Sequence, residues 1–281
     1  MAEIINGKEI SKKILARVKK NIEKENLKPS LAVILVGQDE ASKIYVSLKE
    51  KAAREVGIDF RKFEFPETVS EAEILEKIDE LNRDENIVGI IVQLPLPSHL
   101  DKNKIINFIR PEKDVDGFHP ENIGLFFEGR ERFFPVLPKA VLEMLRATEI
   151  NLNNADAIVI ANSDEFGKTM EFALEENGTF ADYILKEEIS NNLEEIKTKD
   201  IVITACGVPG LIKGDMLKEG AIVIDGGITR AGDKVVGDVD FESVKNIASF
   251  LSPVPGGVGP VTIACLLENV YLAAHRKAHS K

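Results

Sequence analysis

The chain has 281 residues, of which 44% are hydrophobic and 30% are charged, and its formal net charge at pH 7 is −11. This length favours two domains over one, and the composition excludes a disordered chain. The negative charge argues against nucleic acid or a membrane surface as a partner, and no apolar run approaches the ~20 residues of a membrane helix.

Two features of the sequence bear on the cell compartment. The N-terminus MAEIINGKEI has no apolar signal region, and the chain's two cysteines, Cys206 and Cys265, are too few for a disulfide framework. A reduced, cytoplasmic location is therefore expected.

The first half of the chain alternates strands and helices. Continuous apolar runs such as LAVILVG are typical of parallel strands that are covered on both faces, and SEAE predicts a capping box. The predicted order is a helix over 7–27, a strand over 31–37, a helix over 41–57, a strand over 58–65, a helix over 70–82, a strand over 87–94 and a short helix over 102–109. This order predicts a doubly wound α/β domain, in which ligands bind at the carboxyl ends of the strands.

The second half repeats the alternation. We predict helices over 139–148, 166–177 and 261–277, and strands over 156–161, 180–184, 200–206 and 221–227. The fold class is thus α/β with two doubly wound domains. We expect one domain over 1–138 plus 262–281, with the C-terminal helix packing back on it, and the other over 139–261.

The helix over 41–57 carries a tyrosine and a lysine on neighbouring positions of one face. At helical spacing, Ile44, Leu48, Ala52 and Val56 form an apolar stripe that contains Tyr45 and has Lys49 on its border. A poorly solvated lysine has a lowered pKa and can act as an acid or base. The same pattern also fits a lysine whose stem only covers an apolar surface.

Three loops between these elements have unusual composition. Gln93 ends the apolar strand GIIVQL, Asp116 lies in the acidic segment DVDGFHP, and SPVPGGVGP is a stiff segment with low-bulk positions. Each loop taken alone also fits a turn or a domain crossing.

Taken together, the segments YVSLKEKA, VQLPLP, KDVDGFHP, VGDVDF and SPVPGGVGPVT resemble, in this order, the signatures of the bifunctional methylenetetrahydrofolate dehydrogenase/cyclohydrolase family. The resemblance spans essentially the whole chain. It implies two doubly wound α/β domains around a cleft, a catalytic folate-binding domain and a Rossmann-like cofactor domain. It also implies a homodimer and no metal. It also implies oxidation of 5,10-methylenetetrahydrofolate with NADP, followed by hydration of the methenyl product to 10-formyltetrahydrofolate.

The resemblance assigns roles to individual residues. Lys49 matches the catalytic lysine, Gln93 the glutamine bonded to it, and Tyr45 the ring that stacks on the folate. Asp116 matches the carboxylate that binds the pterin. Further substrate-binding positions are Val92, Leu94, Pro255, Gly256 and Gly257. Expected cofactor-binding positions are Ser163, Gly167, Lys186, Gly207, Ile228 and Thr262.

The cofactor half departs from the family pattern at the turn after the strand over 156–161. The family has G-x-S-x-x-V-G followed by Pro, whereas residues 161–169 read ANSDEFGKT. Ser163 and Gly167 match this pattern, but its leading glycine, its valine and its proline are replaced. Two acids, Asp164 and Glu165, stand where a pyrophosphate would meet a helix N-terminus. NAD in place of NADP, or no nicotinamide at all, therefore remain alternatives.

The alternatives for function follow from this departure. The chain could be a cyclohydrolase alone, or a non-catalytic folate-binding subunit. A short-chain dehydrogenase would share the Tyr-x-x-x-Lys spacing, but its glycine-rich turn would precede Tyr45, and no such turn does. A folate ligase would need a P-loop, and G-x-x-x-x-G-K-[ST] is absent from the sequence.

Overall fold

The protein is described by a computed structural model that covers residues 1–232 and 234–279. These residues form two compact units. Unit 1 comprises Met1–Ser11 and Leu137–Thr262, and unit 2 comprises Lys12–Val136 and Ile263–Lys281, of which the last two residues lie outside the described part.

The order of elements agrees with an α/β protein. The strands are β1 Glu3–Ile4, β2 Ser30–Val36, β3 Asp59–Phe65, β4 Gly89–Val92, β5 Asp156–Ala161, β6 Phe180–Leu185, β7 Ile201–Ala205, β8 Ile222–Asp225, β9 Thr229–Ala231, β10 Lys234–Val236 and β11 Phe250–Leu251. The helices are α1 Gly7–Glu25, α2 Glu40–Glu55, α3 Glu71–Arg83, α4 Lys102–Asn107, α5 Pro120–Phe127, α6 Val136–Arg146, α7 Asp164–Glu175, α8 Leu193–Ile196, α9 Phe241–Val244 and α10 Val258–His279, and short 3-10 helices cover Lys186–Asn191 and Gly214–Met216.

Unit 2 is built on a three-stranded parallel sheet with the order β3-β2-β4. All seven residues of β2, SLAVILV, are buried, because the strand lies between two neighbours and is covered on both faces. The strand order reverses direction at β2, so the switch point lies between the carboxyl ends of β2 and β4. A ligand site of unit 2 is expected at that edge.

One face of this sheet is covered by α3 and α4. Ile74 and Ile78 of α3 and Ile105 of α4 are fully buried and pack in one cluster with alternate residues of β2 and β4. Each such side chain contributes about 1.5–3 kcal/mol relative to exposure. The predicted capping box of α3 is present, with Ser70 and Glu73 bonded reciprocally.

Unit 1 is built on a six-stranded sheet with the order β1-β11-β8-β7-β5-β6, and all of its pairs are parallel. Its strand order reverses at β5, between β6 and β7. The predicted α/β fold class with two parallel-sheet domains is confirmed.

The units differ from the expected domain ranges at the N-terminus. Residues 1–11 belong to unit 1, because β1 pairs in parallel with β11 and extends the six-stranded sheet. From residue 263 onwards α10 belongs to unit 2, and there Asn269 Nδ2 donates to the carbonyl oxygens of Val115 and Phe134 at 2.9 and 3.0 Å. The C-terminal helix thus packs on the first half of the chain, within unit 2, as the sequence predicts.

Two other sequence-based expectations concern α10 and the cysteines. By length and composition α10 could cross a membrane, but 67% of the apolar window that meets this test is buried inside the protein, as in a core helix of a globular domain. Cys206 and Cys265 are both buried, and within the described part of the chain neither forms a disulfide.

Candidate functional site

The side chains of Lys49 and Gln93 meet at the switch-point edge of unit 2. Lys49 lies on α2, which follows β2, and Gln93 follows β4 directly, with its backbone N–H bonded to the Ile34 carbonyl of β2. Lys49 Nζ donates to Gln93 Oε1 at 3.0 Å, and Gln93 Nε2 donates to the Leu94 carbonyl at 2.7 Å. The second bond fixes the carboxamide so that its oxygen faces the lysine.

Tyr45 lies one helical turn before Lys49 on α2 and is partly buried. Lys49 Nζ is 4.9 Å from the centroid of the tyrosine ring, which is within cation–π distance. The lysine therefore has an amide oxygen and an aromatic ring as neighbours, and it is only 6% exposed.

The burial pattern of α2 corrects the predicted stripe. Ile44 and Leu48 are 59% and 50% exposed, whereas the buried residues of the helix are Ser42, Val46, Lys49 and Ala53. The buried face is thus rotated from the predicted one, and Lys49 is one of its four buried residues. Because apolar periodicity assigns lysine to the solvent, the pattern of hydrophobic residues pointed to the wrong face.

Asp116 reaches this edge through the segment 113–116, which runs beside β4. Ile90 N–H donates to the Lys113 carbonyl at 2.8 Å, and Ile90 forms a parallel bridge with Asp114. Asp114 is buried and accepts bonds from His119 N–H at 2.8 Å and Asn122 Nδ2 at 2.9 Å, which shapes the turn after Asp116. Burial raises the pKa of Asp114 to about 6.

Lys49 and Asp116 form an electrostatically coupled pair. Burial lowers the pKa of the Lys49 ammonium, and the charge of Asp116 opposes this change. Burial raises the pKa of the Asp116 carboxyl, and the charge of Lys49 opposes that change in turn. Burial therefore brings the pKa values of the ammonium and the carboxyl closer together, as is common for groups that exchange protons in active sites.

The other predicted substrate-binding positions lie in both units. In unit 2, Val92 is a buried residue of β4 within the core cluster, and Leu94 is partly buried and bonded through its carbonyl to Gln93. In unit 1, Pro255 follows a cis peptide bond and Gly256 has a φ of +107°, which favours glycine. A Cβ on Gly7 would lie 1.9 Å from the Gly257 carbonyl oxygen, so the start of α1 lies directly against this loop.

The predicted cofactor positions in unit 1 follow the carboxyl ends of adjacent parallel strands. Gly207 follows β7 with a φ of +69°, and Ile228 follows β8 with its side chain 57% exposed. Lys186 follows β6 and is partly buried, with an ion pair to Glu187 at 4.0 Å. Thr262, within α10, donates through its hydroxyl to the Gly259 carbonyl at 2.7 Å.

The turn between β5 and α7 contains Ser163 and Gly167. Ser163 is the N-cap of α7, and its hydroxyl accepts from Phe166 N–H at 3.4 Å. A Cβ on Gly167 would lie 2.2 Å from Cδ2 of Tyr183, so only glycine lets α7 approach β6 this closely. The Tyr183 hydroxyl donates to Asp164 Oδ1 at 2.9 Å, and both Asp164 and Glu165 are exposed.

Sequence reasoning missed two buried carboxylates beneath these loops. Asp238 accepts bonds from Cys206 N–H at 2.6 Å, Val208 N–H at 2.8 Å and the Thr204 hydroxyl at 2.8 Å, and so holds both sides of Gly207.

The second of these carboxylates is Asp225. It accepts from the N–H groups of Gly227, Asp238 and Val239 at 2.9, 3.0 and 3.0 Å, and burial raises its pKa to about 6. The segment VGDVDF, which contains Asp238, carried the family signal, but the sequence did not reveal its bonds to the strand ends.

Residues 5–116 match the profile described as tetrahydrofolate dehydrogenase/cyclohydrolase, catalytic domain, and residues 135–278 match that family's NAD(P)-binding domain. Two curated relatives called bifunctional protein FolD are 43% identical (Acetivibrio thermocellus; 100% of this chain and 99% of the relative) and 45% identical (Nitratiruptor; 99% and 100%).

Two solved structures are similar over nearly the whole chain. The bifunctional enzyme FolD from Campylobacter jejuni superimposes with a TM-score of 0.92 at 40% identity, over 99% of this chain and 100% of that one. The FolD enzyme of Trypanosoma brucei, solved with NADP and an inhibitor, gives a TM-score of 0.94 at 31% identity, over 99% of both chains.

Fold and site thus define a two-domain α/β protein with a Rossmann-like NAD(P)-binding domain. The chain belongs to the tetrahydrofolate dehydrogenase/cyclohydrolase family. The predicted family is therefore confirmed, and membership favours the interconversion of one-carbon folates over a non-catalytic folate-binding subunit.

Proposed function

We propose that the protein oxidises 5,10-methylenetetrahydrofolate with NADP and hydrates the resulting 5,10-methenyl compound to 10-formyltetrahydrofolate. The observation that carries this proposal is the buried Lys49, whose Nζ lies 3.0 Å from Gln93 Oε1 and 4.9 Å from the ring centroid of Tyr45. Burial of a charged lysine costs free energy, and a surface helix has no structural need for a lysine on its buried face.

Lys49 acts as the acid–base group of the hydration step. Its lowered pKa makes the neutral amine accessible, and that amine accepts a proton from the water that attacks the methenyl carbon. The resulting ammonium returns this proton to the ring nitrogen as the bond between that nitrogen and the carbon breaks. The hydroxyl proton of the water adduct leaves to solvent as the formyl C=O forms. Gln93 keeps the amine directed, since its own carboxamide is fixed by the bond to the Leu94 carbonyl.

Tyr45 and Asp116 position the folate. The tyrosine offers a flat face beside the amine, and the carboxylate offers two acceptor oxygens for the paired donors of a pterin ring. Val92 and Leu94 contribute through backbone groups at the end of β4. The loop with Pro255, Gly256 and Gly257 brings backbone close to a flat ligand.

The residues at the strand ends of unit 1 fit a dinucleotide. Gly207 exposes backbone at a positive φ, Ser163 caps a helix N-terminus, and Lys186 supplies a positive charge after β6. When bound, NADP supplies the hydride acceptor for the oxidation. The T. brucei relative was solved with NADP, which supports the same cofactor here.

The experiment that tests the catalytic role is Lys49→Met, with Lys51→Met as the matched control. Lys51 lies on the same helix and is exposed. Lys49→Met should reduce both activities by ~10²–10⁴-fold while thermal unfolding stays cooperative, and Lys51→Met should leave both unchanged. Unchanged methenyl hydrolysis in Lys49→Met would refute the assigned role.

A second candidate function, cyclohydrolase activity alone, is favoured by the exposed Asp164 and Glu165 at the start of α7. Calorimetric titration with NADP and with NAD, together with an assay of methylenetetrahydrofolate oxidation, separates the two functions. NADP binding with turnover supports the bifunctional enzyme, and binding of neither dinucleotide supports the cyclohydrolase.

A homodimer in the cytoplasm completes the proposal. Both features rest on the resemblance to the family and on the sequence composition. The mass of the purified protein by light scattering tests the first, and cell fractionation tests the second.

A further inference from the structure

The described part of unit 2 contains a cluster of metal-ligating side chains that the folate reaction does not use. Glu25 ends α1, and His275 and His279 lie one turn apart near the end of α10. His275 Nδ1 is 2.6 Å from Glu25 Oε2, and the two imidazole centroids are 4.3 Å apart with their planes inclined by 33°. One ligand atom from each residue lies within 4.8 Å of the other two.

We propose that Glu25, His275 and His279 bind a divalent transition-metal ion, with Zn²⁺ as the preferred species. Two histidines and one carboxylate are a donor set that zinc takes in proteins, with water in the fourth position. Histidines at i and i+4 share one helix face, which allows a single ion to contact both rings.

The distances require only a small adjustment. Bonds of about 2.0–2.2 Å place the ligand atoms of a tetrahedral zinc ion roughly 3.2–3.6 Å apart. The ion would replace the proton between Glu25 Oε2 and His275 Nδ1, which opens that contact, while His279 moves closer. His279 is exposed and can make this movement.

A backbone hydrogen bond determines which ring nitrogen of His279 is available to a metal ion. Its Nδ1 lies 2.7 Å from the His275 carbonyl oxygen, which can only accept, so Nδ1 carries the proton and Nε2 carries a lone pair. A histidine whose other nitrogen donates to a backbone carbonyl is the usual state of a metal ligand.

The carboxylate of Glu25 is oriented in the same manner. The buried Tyr271 donates its hydroxyl to Glu25 Oε1 at 2.7 Å, which leaves Oε2 directed at the histidines. Such outer bonds fix a carboxylate ligand and are part of most metal sites. The ion would join the last turn of α10 to the last turn of α1 and stabilise the folded protein by mass action.

The test uses the full-length protein without an added histidine tag, after treatment with a chelator. Calorimetric titration with ZnCl₂ should show one ion per chain, and Co²⁺ should develop the visible absorption of a tetrahedral site. Glu25→Gln and His279→Ala should each weaken zinc binding at least tenfold. The matched control is Glu23→Gln, which removes an exposed acid two residues away on the same helix.

Thermal unfolding distinguishes a lost site from a lost fold. Zinc should raise the unfolding temperature of the wild type and of Glu23→Gln but not that of His279→Ala, whose exposed side chain leaves the fold intact in the absence of metal. Absence of stoichiometric zinc binding to the wild type would overturn the proposal. Equal zinc affinity in wild type and His279→Ala would also overturn it.

Discussion

The edge of the sheet at Lys49 and the turn at Ser163 occupy equivalent places in their units, because each follows the strand at which the strand order of its sheet reverses. At the first place a charged side chain is buried, held at 3.0 Å by Gln93 and coupled to Asp116. At the second place the charged side chains of Asp164 and Glu165 are exposed, and Ser163 makes only a 3.4 Å cap bond.

The difference shows how tightly each place constrains its residues. A buried charge depends on its neighbours, so a change in one of them alters the pKa of the others. An exposed charge interacts through water and salt, so single changes have smaller effects. The residues around Lys49 should therefore respond to mutation far more strongly than the residues of the turn at Ser163.

Gln93→Leu should have the largest effect of the three changes that test this contrast. Loss of a hydrogen bond to a charged group costs about 1.5–3 kcal/mol, which corresponds to a ~10–100-fold fall in methenyl hydrolysis. Since the carboxamide oxygen accepts from the ammonium, its removal lowers the pKa of Lys49 further, and the limb of the pH–rate profile that Lys49 governs should move to lower pH.

The control for this change is Gln38→Leu. Gln38 is an exposed residue that precedes α2 and accepts a hydrogen bond from Lys43. It should leave the rate and its pH profile as they are in the wild type. A normal profile in Gln93→Leu would mean that Lys49 does not depend on this bond.

Gly167→Ala should have an intermediate effect, confined to unit 1. The new Cβ would lie 2.2 Å from the ring of Tyr183, and such overpacking costs typically 1–3 kcal/mol of unfolding free energy. NADP affinity should fall because α7 and its N-cap are displaced, while methenyl hydrolysis persists at temperatures where the protein is folded.

Gly124→Ala is the matched control, because a Cβ there meets nothing within 4 Å and the residue lies in α5. Alanine in a helix should be neutral or stabilising by about 0.5–1 kcal/mol. Denaturant unfolding of both variants measures the contrast, and equal stability of the two would contradict the close packing of α7 on β6.

Glu165→Gln should have the smallest effect and the opposite sign. Removal of an acid from the start of α7 should tighten NADP binding by about two- to fivefold, since charges near a helix N-terminus contribute about 0.3–1 kcal/mol. Glu176→Gln, just beyond the other end of α7, is the control. The gain in NADP affinity should shrink as the salt concentration is raised. A gain that does not depend on salt would exclude electrostatic repulsion as its cause.

Local sequence signals predicted much of the framework. Continuous apolar runs predicted β2 and β5 to within a residue, and the Ser70/Glu73 capping box predicted the start of α3. Parallel pairing then required the ends of β2 and β4 to share an edge, which is why Gln93 was expected near a ligand.

Other features depend on contacts that local patterns do not encode. The strands β1 and β11 are two residues long and exist only through pairing across the sequence. The predicted elements do not include α5, because the segment that leads into it is rich in Pro, Gly and acid. In the structure His119 is the N-cap of this helix and Pro120 is its first residue. The buried face of α2 differs from the predicted one because its buried residues include a lysine, which hydrophobic periodicity assigns to the solvent.

The pairing of β1 with β11 also bears on synthesis of the chain. In unit 1, residues 3–4 lie beside residues 250–251 in one sheet. Within unit 2, Asn269 of α10 is bonded to Val115 and Phe134. Neither unit is a continuous segment, so neither can complete its contacts until the ribosome has made most of the chain. Pairing between residues so far apart in the sequence is slow. A nascent chain in which β2 and β5 have already formed would expose unpaired sheet edges until the later segments are made. We therefore expect both units to reach their final stability only after translation of α10.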